Sequence, residues 1–341
     1  MDLDLKNKSI GELQKILTDM GERPFQAKNL FSAIHAQSKV LLDEVTTLSK
    51  PFRERLKEQK FYISALVPVK KLTDDDGTIK YLFELEDKLR IEAVLLDDDG
   101  RLTACISSQV GCKMECAFCA TGKLRFQRNL NAAEIVSQVY ALEKDAGKPL
   151  SNIVYMGMGE PLDNYTEVMK SVRMLNDVLG KNIGARHITI STCGLVPGIQ
   201  KLAEEKIQIR LAVSIHAHID KLRDELMPIN IRYDLGAVMK AMREYQHKTG
   251  RRITIEYILL HELNDTREHA RGLMNMLSGL KCHINLIEYN PYNGSKYRAP
   301  SHKVMKDFQW VLEDRGFETT MRFRRGQAIK AACGQLGSKI D

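Results

Sequence analysis

Ile209-Arg210-Leu211-Ala212-Val213-Ser214-Ile215 is a nearly continuous apolar run in the middle of the chain. Strands that are buried on both faces have this pattern, and they are typical of parallel sheets that helices cover on either side. Amphipathic helical patterns flank the run at residues 197–205 and 235–248. The stretch therefore predicts a central strand of a parallel α/β sheet.

The same order of strand and helix extends from this run in both directions. Strands are predicted at residues 103–107, 152–156, 187–191, 209–216, 253–260 and 284–289, and helices at 132–145, 165–179, 197–205, 235–248, 267–280 and 303–314. Strict alternation implies a parallel sheet with the helices outside. Six units are fewer than the eight of a closed TIM barrel, so we predict an open, partial (β/α)6 TIM-like barrel.

Segments of different character flank this core, which we place at residues 103–320. Residues 1–60 predict a helical accessory module, in which Ser9 and Glu12 form a capping-box pattern. Residues 61–102 alternate between apolar and polar side chains around two Asp-Asp-Gly turns, which indicates a β-hairpin linker or extension. Residues 321–341 are predicted to form a C-terminal tail.

The overall composition sets only broad limits on function. The chain has 341 residues, of which 43% are hydrophobic and 28% charged, as in an ordinary globular protein of about two domains. It has neither a long apolar run nor the basic and apolar segments of a signal peptide, so we expect a cytoplasmic protein without a membrane partner. The net charge of +7 suits a polyanionic partner but is weak evidence for one. Seven cysteines, an odd number, argue against a structural disulfide framework.

Three cysteines follow the first predicted core strand. Cys112, Cys116 and Cys119 have the spacing C-x3-C-x2-C. Three thiolates in one short loop can hold three irons of a [4Fe-4S] cluster and leave the fourth iron open to a substrate, whereas electron carriers use four cysteines. Zinc also binds clustered thiolates, but a structural zinc site needs four ligands, and no second cysteine pair is near this loop. The spacing therefore favours an iron–sulfur cluster with an open iron.

Other polar residues lie where core strands are expected to end. In barrels of this kind the chemistry occurs at the carboxyl ends of the strands. The cysteine loop, Gly159-Glu160, Ser191, the stretch Ser214-Ile215-His216 and Asn290 each follow or end a different strand. Glycine permits close approach of a ligand to the backbone, and the Glu160 carboxylate can pair with a cationic group. We therefore expect these features to meet at one mouth of the barrel.

Longer motifs support a family resemblance. They are Ile106-Ser107-Ser108-Gln109-Val110-Gly111-Cys112, Cys119-Ala120-Thr121-Gly122, Arg128-Asn129-Leu130, Gly157-Met158-Gly159-Glu160-Pro161, Met227-Pro228-Ile229-Asn230 and Ala331-Ala332-Cys333-Gly334-Gln335-Leu336. With these motifs, residues 22–335 resemble the RlmN/Cfr family of RNA adenine methyltransferases, which belongs to the radical S-adenosylmethionine (SAM) superfamily. The resemblance implies the partial barrel, a [4Fe-4S] cluster on the three loop cysteines and bound SAM. The residues that match SAM-contacting positions are Gly159, Glu160, Ser191, Ser214, Ile215, His216 and Asn290.

The resemblance also implies how the methyl group is transferred from SAM to the RNA. Cys333 matches the methyl carrier, Cys105 the resolving thiol and Glu92 the proton acceptor. One SAM methylates Cys333, and a second SAM is cleaved to a radical that activates the S-methyl group for addition to adenine. Glu92 then removes the ring proton, and Cys105 releases the product by forming a transient disulfide with Cys333. Without the resemblance, all three residues are also compatible with structural roles, as we infer for Cys193 and Cys282.

The implied product is 2-methyladenosine, at adenine 2503 of 23S ribosomal RNA and adenine 37 of certain transfer RNAs. An electron donor such as flavodoxin or ferredoxin is the implied partner. Two alternatives remain at this stage: methylation at carbon 8, as in Cfr, and an iron–sulfur electron carrier or RNA-binding module without methyl transfer. Val110, where Cfr tends to have cysteine, favours RlmN, whereas the joint occurrence of the carrier, resolving and acceptor residues disfavours the electron carrier.

Basic residues near the predicted mouth could neutralise RNA phosphates. They are Lys123, Arg125 and Arg128 beside the cysteine loop, and Arg322, Arg324, Arg325 and Lys330 before Cys333. The chain departs from the family pattern at Ala328 and Lys330, where acidic residues are usual, at Arg125, where glycine is common, and at His218, which replaces a proline. These departures concern substrate range and tail conformation rather than the residues that carry the chemistry.

Overall fold

A ten-stranded sheet forms the centre of the computed structural model, which describes residues 3–322 and 324–337. The spatial order is β1-β2-β3-β4-β7-β8-β9-β10-β11-β12, and β5 and β6 form a separate pair. The strands are β1 (Pro68–Thr73), β2 (Ile79–Glu84), β3 (Arg90–Asp98), β4 (Arg101–Cys105), β5 (Gln109–Val110), β6 (Arg128–Asn129), β7 (Asn152–Tyr155), β8 (Ile188–Thr192), β9 (Arg210–Ser214), β10 (Ile253–Leu259), β11 (Cys282–Glu288) and β12 (Thr319–Arg322).

The parallel part of the sheet is the predicted partial barrel. Strands β4 and β7 to β12 are parallel and lie side by side in chain order. In β9, Leu211, Ala212 and Val213 are fully buried, because neighbouring strands and helices exclude water from both faces of the strand. The α/β prediction is thus confirmed.

Each of the first six parallel strands is followed by a predicted helix, and one further short helix lies after the fourth of these strands. The helices of the chain are α1 (Ile10–Asp19), α2 (Gln26–His35), α3 (Lys50–Glu58), α4 (Ala132–Ala146), α5 (Tyr165–Asn176), α6 (Val196–Ala203), α7 (Asp220–Leu226), α8 (Leu235–Thr249), α9 (Arg267–Leu277) and α10 (His302–Glu313). Helix α7 and strand β12 were not predicted, because both are short and lack a clear hydrophobic period. No helix in the described ranges is long and apolar enough to cross a bilayer.

Strands β1 to β3 continue the barrel sheet beyond β4, and each of them pairs antiparallel with the next strand. The β3–β4 connection contains Asp99 and Gly100, both with positive φ (51° and 84°), and this conformation matches the twist of a two-residue hairpin. In the β1–β2 turn, Asp76 Oδ1 accepts a hydrogen bond from Thr78 N at 2.9 Å. The segment predicted as a hairpin linker is therefore continuous with the main sheet.

Helices α1 and α2 pack against each other, and α2 contacts α4. Ser9 and Glu12 cap α1 reciprocally, as their spacing predicted. The buried His35 ring lies 2.7 Å from the Tyr140 hydroxyl, which joins α2 to α4. Residues 1 and 2 of the predicted module, and residues 323 and 338–341 of the predicted tail, lie outside the described residues.

Candidate active site

A cavity of about 170 Å³ opens at the carboxyl ends of the parallel strands. Most of the residues singled out in the sequence lie on its wall. They are Cys112, Cys116, Cys119, Gly159, Glu160, Ser191, Ser214, His216 and Cys333. Six successive strands and the chain after β12 contribute to this wall, because parallel strands all end at the same edge of the barrel.

The cysteine loop is closed at its base by the pairing of β5 with β6. Gly111 at the start of the loop has φ +75°, and a Cβ there would lie 2.2 Å from the Arg125 carbonyl oxygen. A Cβ at Gly122, at the end of the loop, would lie 2.8 Å from the Cys116 carbonyl oxygen. The compact loop therefore requires glycine at both positions, and this explains the motif spacing around the cysteines.

The three loop thiols fit a cluster better than a single metal ion. All cysteines are free thiols, and burial raises the pKa of Cys112 to about 12 and that of Cys116 and Cys119 above the usual value. A cationic centre must therefore be present for them to bind as thiolates. Among the described residues no three Cys, His, Asp or Glu side chains converge as ligands of one ion. In a [4Fe-4S] cluster each thiolate binds a different iron, so such convergence is not needed.

Glu160 shapes the rim opposite the cysteines. Its carboxylate accepts hydrogen bonds from Leu162 N at 3.0 Å and from Cys193 N at 2.8 Å, and burial raises its pKa. Gly159 before it has φ +101° and packs against the side chain of Gln109, whose Oε1 accepts from Glu160 N at 2.8 Å. The Gly-Glu motif thus holds the loops after β7 and β8 together, and its carboxylate faces a cavity suited to a cationic group.

His216 contributes a neutral ring. Its Nδ1 accepts a hydrogen bond from Ile258 N at 3.0 Å, and burial together with the Arg223 charge lowers its pKa to about 3. The neighbouring Phe118 ring packs edge-on against it at 4.8 Å between centroids. His216 also has a positive φ of 60°, which is uncommon for a residue other than glycine and indicates that surrounding contacts maintain the turn.

Two predicted SAM-contacting residues lie beside the cavity rather than on its wall. The Ile215 side chain is fully buried, and its backbone oxygen accepts from Arg223 Nε. Asn290 donates to the carbonyls of Glu288 and Cys333, and its buried Oδ1 has no hydrogen-bond partner among the described residues. Such an unpaired acceptor is costly, so Asn290 is suited to receive a donor from a ligand.

The tail carries Cys333 across the mouth. Ala120 N donates to Gly334 O at 2.7 Å, and Thr121 Oγ1 donates to Leu336 O at 2.7 Å. Both contacts tie the tail to the cysteine loop. Cys333 itself is exposed to solvent through the cavity, although the protein around its thiol raises its pKa. A thiol that is accessible in this position can meet ligands bound in the mouth.

Cys105 lies at the end of β4 and is close to Cys333. Burial raises the pKa of Cys105 to about 12; the charge on Cys333 raises it further, and the charge of Arg322 lowers it. Arg322 likewise lowers the pKa of Cys333. The two thiols are therefore electrostatic neighbours that share one cation, and the charge of Arg322 offsets part of the burial that disfavours their thiolate forms.

Glu92 is buried on β3, next to the glycine motif. Its backbone N contacts the Met158 sulfur at 3.4 Å, and its Oε2 accepts from Gly337 N at 2.8 Å. Lys80 Nζ lies 3.4 Å from Oε1. Burial raises the pKa of Glu92, and Lys80 lowers it by a smaller amount. The carboxylate is thus held between the sheet extension and the tail.

The structure adds residues that sequence reasoning missed. Glu256 lines the cavity next to the predicted Arg322, and its buried Oε2 lacks a hydrogen-bond partner among the described residues. The sequence does contain a signal for Glu256, because it is a carboxylate within the mostly apolar strand β10. Lys80 and Arg223 are also fully buried near the mouth, and their roles depend on contacts between distant parts of the chain.

The predicted phosphate-binding residues separate into two groups. Arg128 pairs with Asp87 and Glu134, Arg324 with Glu288, and Arg325 with Asp98, so their charges are already balanced. Lys123 and Arg125 are exposed beside the cysteine loop. Those two, with Arg322 in the cavity, are better suited to contact RNA phosphates.

Comparison with known proteins identifies the family. Residues 106–274 match the model of the radical SAM superfamily, and residues 3–62 match that of the ribosomal RNA large subunit methyltransferase N-terminal domain. A relative in Alkaliphilus oremlandii, described as a probable dual-specificity RNA methyltransferase RlmN, is 45% identical over 99% of this chain and 98% of its own length. The chain belongs to the RlmN family.

Other RlmN relatives agree. The dual-specificity RNA methyltransferase RlmN of Pelobacter propionicus is 43% identical over 99% of this chain and 96% of its own. The crystal structure of a radical SAM methyltransferase from Sphaerobacter thermophilus has a TM-score of 0.94 and 43% identity, and the match covers 99% of this chain and 100% of the other. As a member of the RlmN family, the chain is an RNA methyltransferase that uses a [4Fe-4S] cluster and SAM.

Proposed function

We propose that this enzyme methylates carbon 2 of adenine through a methyl group carried on Cys333. The observation that supports this most directly is that Cys333 and the three loop cysteines share one cavity. An adenine carbon between two ring nitrogens is electron-poor and cannot attack the SAM methyl group directly. A carrier next to the cluster provides the alternative route.

In this proposal Cys112, Cys116 and Cys119 hold the cluster, which supplies the electron that cleaves SAM when bound. Glu160, Ser191, Ser214, His216 and the neighbouring Gly159, Ile215 and Asn290 hold SAM. The Glu160 carboxylate and the unpaired Asn290 Oδ1 are acceptors suited to its ammonium group and hydroxyl groups.

Release of the product requires a base and a second thiol. Glu92 accepts the ring proton as a carboxylate, and the unpaired electron left on the ring by radical addition would return to the cluster. The Cys105 thiolate then attacks the Cys333 sulfur. A sulfur–sulfur bond forms while the bond from Cys333 sulfur to the methylene carbon breaks, and the electron pair of that bond stays on the carbon, which becomes the methyl group after it takes up a proton. The closeness of Cys105 to Cys333 supports this step.

We propose 23S ribosomal RNA and transfer RNA as the substrates, since the relatives are described as dual-specificity RNA methyltransferases and the N-terminal residues match a ribosomal RNA large subunit methyltransferase domain. We infer that residues 1–60 act as an accessory module that helps to present the base, since a paired base must be unstacked to enter a cavity. The electron is supplied by a flavodoxin or ferredoxin, in the cytoplasm.

Mass spectrometry of nucleosides tests the proposal. RNA lacking the modification is incubated with reconstituted wild-type enzyme, SAM and a reductant, and 2-methyladenosine should appear with two SAM consumed per methyl group delivered. Cys333→Ala should keep its iron yet form no methylated adenosine, whereas Cys282→Ala, at the opposite end of strand β11, should behave as wild type. 8-Methyladenosine would instead assign the carbon-8 reaction, and full activity of Cys333→Ala would exclude the carrier.

A further inference from the structure

Arg223 is the largest fully buried side chain of the described residues, and no part of the reaction above uses it. It lies on the short helix α7. Its guanidinium donates to three backbone carbonyls at the rim: Ile215 O at 3.1 Å, Ser214 O at 3.1 Å and Cys193 O at 2.7 Å. Arg223 therefore joins the ends of β8 and β9 beneath the cavity.

The charge of Arg223 is not balanced by direct contact with an acid. Its remaining hydrogen bond, at 2.7 Å, goes to the neutral Asn230 Oδ1, and among the described residues no carboxylate forms an ion pair with it. Asp220 and Asp224 instead accept hydrogen bonds from Asn230 Nδ2, at 3.0 and 2.7 Å. The two carboxylates thus act on Arg223 only from beyond Asn230, and a buried cation without a directly paired acid would be stabilised by a further negative group beside it.

The cysteine loop provides the place for that group. Ala117 N, between two of the loop cysteines, donates to Leu226 O at the end of α7 at 2.9 Å. Leu226, Met227 and Cys193 pack in the same apolar cluster as the loop cysteines. Cys193, whose carbonyl accepts from Arg223 at 2.7 Å, lines the same cavity as the three loop cysteines. The guanidinium is thus an electrostatic neighbour of the loop that would bind the cluster.

We propose that Arg223 is a positioning residue whose buried charge balances that of the iron–sulfur cluster and raises the cluster's reduction potential. A [4Fe-4S] cluster held by three thiolates is anionic, and uptake of an electron adds one more negative charge. A nearby fixed cation therefore stabilises the reduced form more than the oxidised form. Asn230, in the motif Met227-Pro228-Ile229-Asn230, fixes Arg223 and keeps the two aspartates out of direct contact with it, so that they offset its charge only from a distance.

The inference rests on the proposed cluster ligands but not on the RNA chemistry, so the test uses no RNA. The midpoint potential of the reconstituted full-length enzyme is measured by redox titration with electron paramagnetic resonance, and the iron and sulfide content of each variant is determined. In Arg223→Gln the cluster should bind the added electron on the order of tenfold more weakly. For a one-electron couple this makes the midpoint potential about 59 mV more negative. Arg223→Lys, which keeps the charge, should remain close to wild type.

Arg243→Gln is the matched control, because Arg243 also donates to two backbone carbonyls but is exposed on α8. Its midpoint should not change. A fully loaded Arg223→Gln variant with the wild-type midpoint would overturn the inference and leave Arg223 with a structural role only. If the wild-type enzyme formed no 2-methyladenosine, the proposed reaction would be wrong, but the inference about Arg223 would be unaffected.

A second variant keeps the test decisive if Arg223→Gln does not fold or take up iron. Asp224→Asn keeps the Oδ1 acceptor for Asn230 and every contact of Arg223, but it removes one of the two carboxylates that offset the buried cation. Because less negative charge then offsets Arg223, its midpoint should move to a more positive potential. An unchanged midpoint for Asp224→Asn alone would count against the inference.

Discussion

Lys80 Nζ lies 3.4 Å from Glu92 Oε1, and both side chains are at least 95% buried. Lys80 also donates to Lys330 O at 3.0 Å, while Gly337 N donates to the other oxygen of Glu92. The ion pair therefore connects the sheet extension with the tail on both sides of Cys333. A buried pair of this kind orients a carboxylate and keeps it ionised, provided that both partners are present.

The first prediction concerns the pH dependence of product release. Burial raises the pKa of Glu92 above 4.5, and a proton acceptor must be ionised, so the rate should fall as the pH drops through a value above 4.5. Lys80 lowers that pKa, so Lys80→Met should move the acidic limb to higher pH. Single-turnover release of methylated RNA, measured across pH, provides the test.

Lys80→Arg should restore much of the wild-type profile because it keeps the charge. Lys88→Met is the control on the same hairpin, since Lys88 is 81% exposed and pairs with Glu84. A lower rate with an unmoved acidic limb in Lys80→Met would mean that Lys80 only supports the fold.

The second prediction concerns the cluster ligands. Replacing Cys112, Cys116 or Cys119 with Ala should abolish iron binding and SAM cleavage, because each thiolate holds a different iron. Iron and sulfide analysis after anaerobic reconstitution is the measurement, with Cys193→Ala as the matched control. Cys193 is buried beside the loop but is interpreted as a structural thiol. Stoichiometric zinc with no uptake of iron would contradict the assignment.

The third prediction concerns Cys105, whose thiol is needed only after Cys333 and adenine are joined. Cys105→Ala should therefore accumulate protein covalently bonded to RNA, visible as a ribonuclease-sensitive shift on denaturing gels. A residual nucleotide mass should remain on the peptide that contains Cys333. If Cys105 only fills the core, the substitution should instead cost about 1 kcal/mol of stability and leave methylation intact.

The fourth prediction concerns the backbone of the Gly-Glu motif. A Cβ at Gly159 would lie 2.5 Å from the Gln109 Cβ, and the φ of +101° is strained for any other residue. Gly159→Ala should displace Glu160 and weaken SAM binding on the order of tenfold or more, as measured by calorimetry on the reconstituted enzyme. Gly147→Ala is the control, because Gly147 has φ +63° but open space around it. It should lose about 1 kcal/mol of stability and bind SAM normally.

Sequence alone was sufficient for the features that depend on local pattern. The apolar run in β9 and the alternation of strands and helices predicted the parallel partial barrel. A strand that is buried on both faces consists almost entirely of apolar residues, and this is visible in the sequence. Strand ends in such a barrel converge, so ten residues at strand ends were expected in one mouth, and eight of them lie on one cavity wall. The C-x3-C-x2-C loop likewise indicated a cluster with an open iron.

Tertiary structure decided which charges share a buried environment. Nothing near Lys80 in the chain indicates that its ammonium meets both Glu92 and the carbonyl of Lys330, which is 250 residues away. Arg223 lies on a helix too short to show a period, and its contacts lie on two different strands. The cost of burying a charge depends on the groups around it in space, and those groups come together only when the sheet, the cysteine loop and the tail are folded against one another.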